Sequence, residues 1–200
     1  RRWLRANQPE LADRVGPGHA MPAPEYVLTS VGQAWRSRLP EACHPTAWIA
    51  DRTIERLREA KEAGRPFFAY CSFPDPHHPY TPPGRYWDMY KPEEVELPAS
   101  FHSQDPPPHL RWLREQRDRG QAVKHTMACF AATEREAREA IALGQGSLSF
   151  IDAQIGRVLA QLRALGLEDD TVVVFTSDHG EFAGDHQLLF KGSLHYRSLI

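Results

Sequence analysis

Residues 171 to 192 read Thr171-Val-Val-Val-Phe-Thr-Ser-Asp178-His179-Gly180-Glu-Phe-Ala-Gly184-Asp185-His186-Gln-Leu-Leu-Phe-Lys191-Gly192. The run Thr171 to Phe175 is β-branched and aromatic without polar alternation, the pattern of a strand buried on both faces of a parallel sheet. It stops at a Ser-Asp-His-Gly turn. In open α/β sheets ligands bind at the carboxyl edge of the strands, so Asp178 and His179 fall where a site is built. A carboxylate and a neutral imidazole suit a divalent cation that stays open to substrate. Gly180 is expected to turn the backbone so that both side chains face one ion. Lys191 adds a compact cation. A metal and an ammonium group together receive a tetrahedral oxyanion, and both gain as negative charge builds on a bridging or leaving oxygen.

A second block has the same design. Pro66-Phe-Phe-Ala-Tyr-Cys-Ser-Phe73 reads as another buried strand, followed by Pro74-Asp75-Pro76-His77-His78-Pro79-Tyr80. The prolines stiffen the loop, as a His that must meet a leaving group requires. Thr46 to Ala63 reads as a helix with Ile49, Ile54 and Leu57 among its apolar positions and Gly64 as its stop. Helix, short turn and strand is the rhythm of a doubly wound sheet. At Thr133 a Thr-x-x-Glu capping box opens a helical stretch to Leu165, with a break expected at Gly144 to Gly146. Ile151, Ile155, Val158, Leu159 and Leu162 follow helical spacing and are expected to pack on the sheet.

The remaining segments carry weaker signals. Residues 1 to 44 are irregular, punctuated by Gly16-Pro17-Gly18 and Pro22-Ala-Pro24. Residues 74 to 108 form a long proline-rich excursion whose Tyr80, Tyr86, Trp87 and Tyr90 either wall a pocket or pack as a lid on the sheet. Arg111, Arg114, Arg117, Arg119 and Lys124 form a basic run interrupted by Glu115 and Asp118, read as a solvated helix face. With 24 basic and 26 acidic residues the net charge is −2, which gives no footprint for nucleic acid or an anionic membrane. No apolar run approaches the roughly 20 residues of a membrane span. Cys43, Cys71 and Cys129 are scattered and odd in number, neither a zinc pattern nor a disulfide framework, so the compartment, cytoplasmic or exported, stays open. Arg outnumbers Lys and Asn7 is the only asparagine, the bias of a GC-rich, bacterial genome.

Taken together, Thr176-Ser177-Asp178-His179-Gly180-Glu181, then Gly184-Asp185-His186, then Lys191-Gly192, preceded by a helix with Ile151-Asp152 and Gly156-Arg157-Val158-Leu159, resemble the sulfatases of the alkaline phosphatase superfamily. The Pro-His-x-Pro-Tyr string at 76 to 80 fits the same family, and the resemblance covers roughly residues 45 to 200. It implies an α/β fold, an alkaline phosphatase-like three-layer sandwich with a mostly parallel central sheet, incomplete within residues 1–200 and taken as one partial catalytic domain. By the same resemblance Asp178 and His179 bind the active-site cation and Lys191 holds the sulfate. His77, not His78, assists departure of the ester oxygen. Asp152 is given a structural part, and Asp185, His186 and His195 are given orientation of the site.

The family's nucleophile is a Cys or Ser in a Cys/Ser-x-Pro-Ser/Thr-Arg string, converted to formylglycine. The near match Cys43-His44-Pro45-Thr46-Ala47 has Ala47 in place of Arg and runs into a helix, so it is read as coincidence. The family's early acidic pair is also absent from the first forty residues. The chain is therefore expected to be a piece of a longer enzyme, inactive and poorly folded alone, with formylglycine supplied from elsewhere. Calcium is the first expectation for the cation, and His179 in place of Asn leaves manganese or zinc open. The activity implied is hydrolysis of a small-molecule or glycan sulfate monoester. Neither the organic part of the substrate nor the oligomeric state has a signature. The alternatives are a phosphonate monoester hydrolase or phosphodiesterase of the same superfamily, and a non-catalytic oxyanion-binding relic.

Overall fold

The computed structural model describes residues 2–23, 26–192 and 194–200. Arg1, Pro24, Glu25 and Ser193 lie outside them, and with them the second proline of the Pro22-Ala-Pro24 loop. Three short helices, α1 (Arg2–Asn7), α2 (Pro9–Ala12) and α3 (Val27–Ser30), precede α4 (Pro45–Glu62), α5 (Pro108–Asp118) and α6 (Glu134–Ala164). Two short strands, β1 (Phe130–Ala131) and β2 (Leu188–Leu189), pair antiparallel, with Phe130 opposite Leu189. No helix among the described residues is long and apolar enough to cross a membrane.

Local chemistry sets the two long helices. Pro45 sits in the first turn of α4, where its missing N–H is no loss. The His44 ring accepts the Thr46 N–H at 3.4 Å, and Ala47, Ala50, Ile54 and Leu57 form the buried face. At the start of α6, Thr133 Oγ1 accepts the Glu136 N–H at 3.3 Å while Glu136 Oε2 accepts the Thr133 N–H at 2.8 Å. That reciprocal pair satisfies two orphan donors at once.

The expected break at Gly144 to Gly146 does not occur, and α6 runs unbroken through 31 residues. Gly146 has a packing reason instead. A Cβ there would stand 2.3 Å from the Tyr86 carbonyl oxygen, so the missing side chain lets the proline-rich segment lie directly on the helix. Each helical glycine costs about 1 kcal/mol against alanine, a sum that a helix packed along most of its length absorbs.

The core gathers around the N-terminal half of α6. Tyr80, Trp87 and Phe101 from the proline-rich segment meet Phe130, Leu189 and Phe190 and the α6 residues Ala140 and Leu143. Tyr86 packs on Phe150 and Ala47 in a neighbouring cluster, and Tyr90 reaches Ser149 Oγ at 2.8 Å. These aromatics are core and helix contacts rather than a pocket wall. The C-terminal half of α6 packs against α4, with Arg157 on Asp51 at 2.6 Å and Arg58 on Gln161 at 2.8 Å. That replaces the expected sheet contact, and it leaves Leu159 exposed.

Two expectations are corrected by the segments 66–73 and 171–177. Both lack helix and strand, neither has a ladder partner among the described residues, and Phe68 and Val172 are 92% and 89% exposed. The parallel central sheet of a three-layer sandwich is therefore not formed within these residues. The reason is topological: a parallel strand is covered by other strands and by helices contributed from distant chain, and those neighbours are not among these residues. The apolar side of the first segment instead borders a groove of about 680 Å³ against α4, lined by Trp48, Leu57, Phe68 and Tyr70 among others.

Candidate active site

Of the four residues singled out from sequence, His77, Asp178 and His179 follow the segments 66–73 and 171–177, and Lys191 follows β2. Asp178 and His179 end the segment 171–177. The Asp178 Oδ1 accepts the His179 backbone N–H at 2.9 Å, which leaves Oδ2 free, 3.5 Å from His179 Nε2. His179 Nδ1 donates to the Gly180 carbonyl at 2.7 Å, so Nε2 keeps its lone pair. A carboxylate oxygen and an imidazole nitrogen at that separation can share one divalent cation with bonds of about 2.0 to 2.5 Å. Both side chains are open, with Asp178 84% exposed. Among the described residues no group of three or more His, Cys, Asp or Glu is placed to hold a metal, so a cation at this pair would need ligands from elsewhere.

Gly180 has a role other than the one its sequence suggested. The C-terminal turn Arg197–Leu199 crosses directly over it, and Gly180 N–H donates to the Leu199 carbonyl at 3.2 Å. A Cβ on Gly180 would stand 2.0 Å from the Ser198 carbonyl oxygen. Close approach of backbone, rather than a sharp turn, demands glycine there. The stretch that follows Tyr196 is a short 3₁₀ turn.

His77 and Lys191 come together around a third residue that sequence reading did not single out. Lys191 Nζ lies 3.5 Å from Glu181 Oε2, with both side chains largely covered. Burial pushes the Glu181 carboxyl above its ordinary value, and Lys191 and His77 pull it back. The Asp178 carboxyl is held below its usual range, first by the His179 N–H and then, more weakly, by Lys191. Lys191 therefore lies within electrostatic reach of both Asp178 and Glu181, and His77 within reach of Glu181. His77 is half-buried, and its Nδ1–H donates to the His78 carbonyl, leaving Nε2 as the nitrogen available to a substrate. His78 is buried, with its ring stacked between His77 and Phe190. A signal for Glu181 was present in the string, since a partly buried ammonium calls for a carboxylate nearby.

The surrounding residues brace these loops. The Thr46 hydroxyl donates to Asp75, two residues before His77, and His44 Nδ1 lies 3.7 Å from the same carboxylate. Burial lowers the His44 imidazole below its ordinary value, and Asp75 opposes that shift. The string Cys43-His44-Pro45-Thr46-Ala47 thus caps α4 and pins the His77 loop. In the second loop, Asp185 accepts the Ser100 hydroxyl, and the His186 ring rests 4.8 Å from Tyr196. Arg117 donates to the Ala132 carbonyl at 2.9 Å and to Gln187 Oε1 at 2.8 Å, and Arg114 donates to the Ser103 carbonyl at 2.9 Å. These two arginines were expected on a solvated face. Their length lets them fold back onto the Ser103 and Ala132 carbonyls and onto His186 and Gln187 of the loop that precedes Lys191. His195 and Asp152 are exposed.

A family model described as Sulfatase matches residues 23–198, which is most of the chain. The chain belongs to the sulfatase family. Among the relatives of this sulfatase chain, an arylsulfatase of Clostridium perfringens (strain 13 / Type A) is 33% identical over 162 residues, covering 80% of the chain and 32% of the relative. The multifunctional alkaline phosphatase superfamily protein PehA of Trinickia caryophylli is 34% identical over 161 residues, covering 78% of the chain and 31% of the relative. The crystal structure of the phosphonate monoester hydrolase of Agrobacterium radiobacter superposes with a TM-score of 0.71 at 25% identity, over 99% of this chain and 39% of that one. The sulfatase chain spans about a third of the length of the curated relatives it matches. It shares its fold with part of the alkaline phosphatase-like hydrolases, and the complete sandwich is not formed among its described residues.

Proposed function

We propose that the protein containing this chain hydrolyses a sulfate monoester, with Lys191 and His77 acting on the ester and Asp178 and His179 contributing to a cation site. One observation carries the reading: the His77–His78–Phe190 ring stack brings an imidazole with a free Nε2 to the residue before Lys191, and the open Asp178–His179 pair stands just before Glu181, the ion-pair partner of Lys191. Such a set receives an anion and stabilises charge that develops as its ester bond breaks.

The roles follow from the atoms left free. Lys191 pairs with the sulfate, including the oxygen that bridges to the leaving group, and Glu181 holds the ammonium in place between turnovers. His77, as imidazolium, donates its Nε2 proton to the departing oxygen, while the bond from Nδ1 to the His78 carbonyl fixes the plane of the ring. Asp178 Oδ2 and His179 Nε2 are the atoms that would hold a divalent cation, calcium first and manganese or zinc otherwise. Such a cation, when bound, neutralises sulfate oxygens and polarises the ester. Attack on sulfur falls to a nucleophile outside these residues, formylglycine by the family resemblance. The substrate class, a small-molecule or glycan sulfate ester, belongs to the same proposal.

A second reading is hydrolysis of a phosphonate monoester, supported by the likeness to the Agrobacterium radiobacter enzyme along nearly the whole chain. The test is to assay the full-length protein with an aryl sulfate and with an aryl phosphonate monoester under the same conditions. A higher kcat/KM for the sulfate supports the first reading and a higher value for the phosphonate supports the second. Binding of sulfate without turnover of either would make the protein an oxyanion-binding relic and defeat both.

A further inference from the structure

The proline-rich loop carries two adjacent histidines, and the proposed chemistry uses only His77. His78 is 2% exposed, and neither of its ring nitrogens has a hydrogen-bond partner among the described residues. A buried polar group without a partner is unfavourable, so the ring is not held there by hydrogen bonding. It is held by stacking. The His77 and His78 centroids are 4.4 Å apart with planes 25° from parallel, and the His78 and Phe190 centroids are 3.7 Å apart at 14°.

The far end of this three-ring stack is fixed. Phe190 is fully buried, meets the edge of Phe130 at 5.2 Å and packs on Tyr80 in the main core. It is also the residue immediately before Lys191. One rigid ring therefore sets the position of Lys191 through the backbone and the position of His77 through His78. The His78 backbone adds a second constraint, because its carbonyl accepts the His77 Nδ1–H. Burial, aided by the nearby His77 and Lys191, lowers the His78 imidazole well below its ordinary value, so the ring offers His77 a flat, uncharged face.

We propose that His78 is a positioning residue for His77: its ring is a stacking platform that transmits the rigidity of Phe190 to the imidazole facing the substrate. This rests on the reading of His77 as the donor to the leaving oxygen. It makes the flatness of residue 78 the property that matters and its nitrogens dispensable.

The test uses the full-length protein and a series of aryl sulfates whose phenols differ in acidity. His78→Ala is expected to lower kcat about tenfold with KM little changed, and more for the less acidic phenols, which depend most on proton donation. His78→Leu fills the volume without a flat face and is expected to match H78A. His78→Phe keeps the stack and is expected to restore most of the lost rate. In a His77→Ala background, H78A is expected to add no further loss, the signature of two residues acting through one group. H78F as slow as H78A would overturn the proposal, and so would an undiminished effect of H78A on the H77A enzyme. A wild-type rate in H77A alone with poor leaving groups would instead overturn the reading of His77 beneath it, and the proposal with it.

Discussion

Replacing Gly146 and Gly156 of α6 with alanine is expected to shift stability in opposite directions. Alanine is favoured over glycine in a helix interior by about 0.8 to 1.0 kcal/mol, because the unfolded glycine has more freedom to lose. Gly156 is exposed, and a Cβ there meets nothing within 4 Å, so G156A should gain nearly the full amount. At Gly146 the same gain is opposed by a contact of 2.3 Å with the Tyr86 carbonyl oxygen and one of 3.4 Å with Pro82 Cβ. The obstacle is backbone, which yields less easily than a side chain. Overpacking of that kind costs about 1 to 3 kcal/mol, and the depth of this overlap argues for the upper end. The net expectation for G146A is a loss of about 2 kcal/mol, and a gap of about 3 kcal/mol between the two variants. Urea denaturation followed by far-ultraviolet circular dichroism measures both. A G146A protein as stable as G156A would refute the close docking of the proline-rich segment on α6, and with it the scaffold that holds the His77 loop.

Three further outcomes are expected. Burial, with His77 and Lys191 beside it, lowers the His78 imidazole from 6.5 to about 4. The unfolded chain therefore takes up the proton first, so the stability linked to His78 is complete above about pH 6.5 and is lost as the pH falls toward 4. At about 1.4 kcal/mol per unit this is on the order of 3 kcal/mol. Urea midpoints at pH 7 and pH 4.5 should show a smaller acid loss in H78F than in the wild type, and an equal loss would contradict the burial of that ring. Arg117→Ala removes two charge-assisted hydrogen bonds to the Ala132 carbonyl and Gln187, and is expected to cost about 2 kcal/mol by the same denaturation assay. An unchanged midpoint would return Arg117 to the solvated face. Removing divalent cations from the full-length protein with a chelator is expected to abolish turnover until a cation is restored. Asp178→Ala should then raise the cation concentration needed by about tenfold or more, and a cation requirement unaffected by D178A would remove Asp178 from the ligand set.

What the sequence disclosed was mostly local. The α4 and α6 boundaries follow from Pro45, from the Thr133 and Glu136 capping box and from apolar spacing, all of which act within a few residues. The strings around Asp178, Lys191 and His77 stood out because chemistry at a strand end needs particular residue types there. Distant contacts were not legible. Nothing near Gly180 announces that residues 197 to 199 will cross it, and nothing near Arg117 says that its guanidinium will turn back to residue 187. The apolar runs at 67 and 171 carried a strand signal that these residues do not complete, since strand propensity expresses itself only against neighbours. His78 was set aside and Phe190 overlooked for a related reason: a stack assembled from residues more than a hundred positions apart has no sequence period.

The central claim is that Lys191 holds the scissile ester in a site shared with His77, Asp178 and His179. The most direct test is the kcat of full-length Lys191→Ala on an aryl sulfate beside that of the wild type, with circular dichroism to establish that both are folded. Loss of a preorganised positive donor at the developing charge predicts a drop on the order of 100-fold or more. A folded K191A enzyme that turns over the sulfate ester at the wild-type rate would contradict the account.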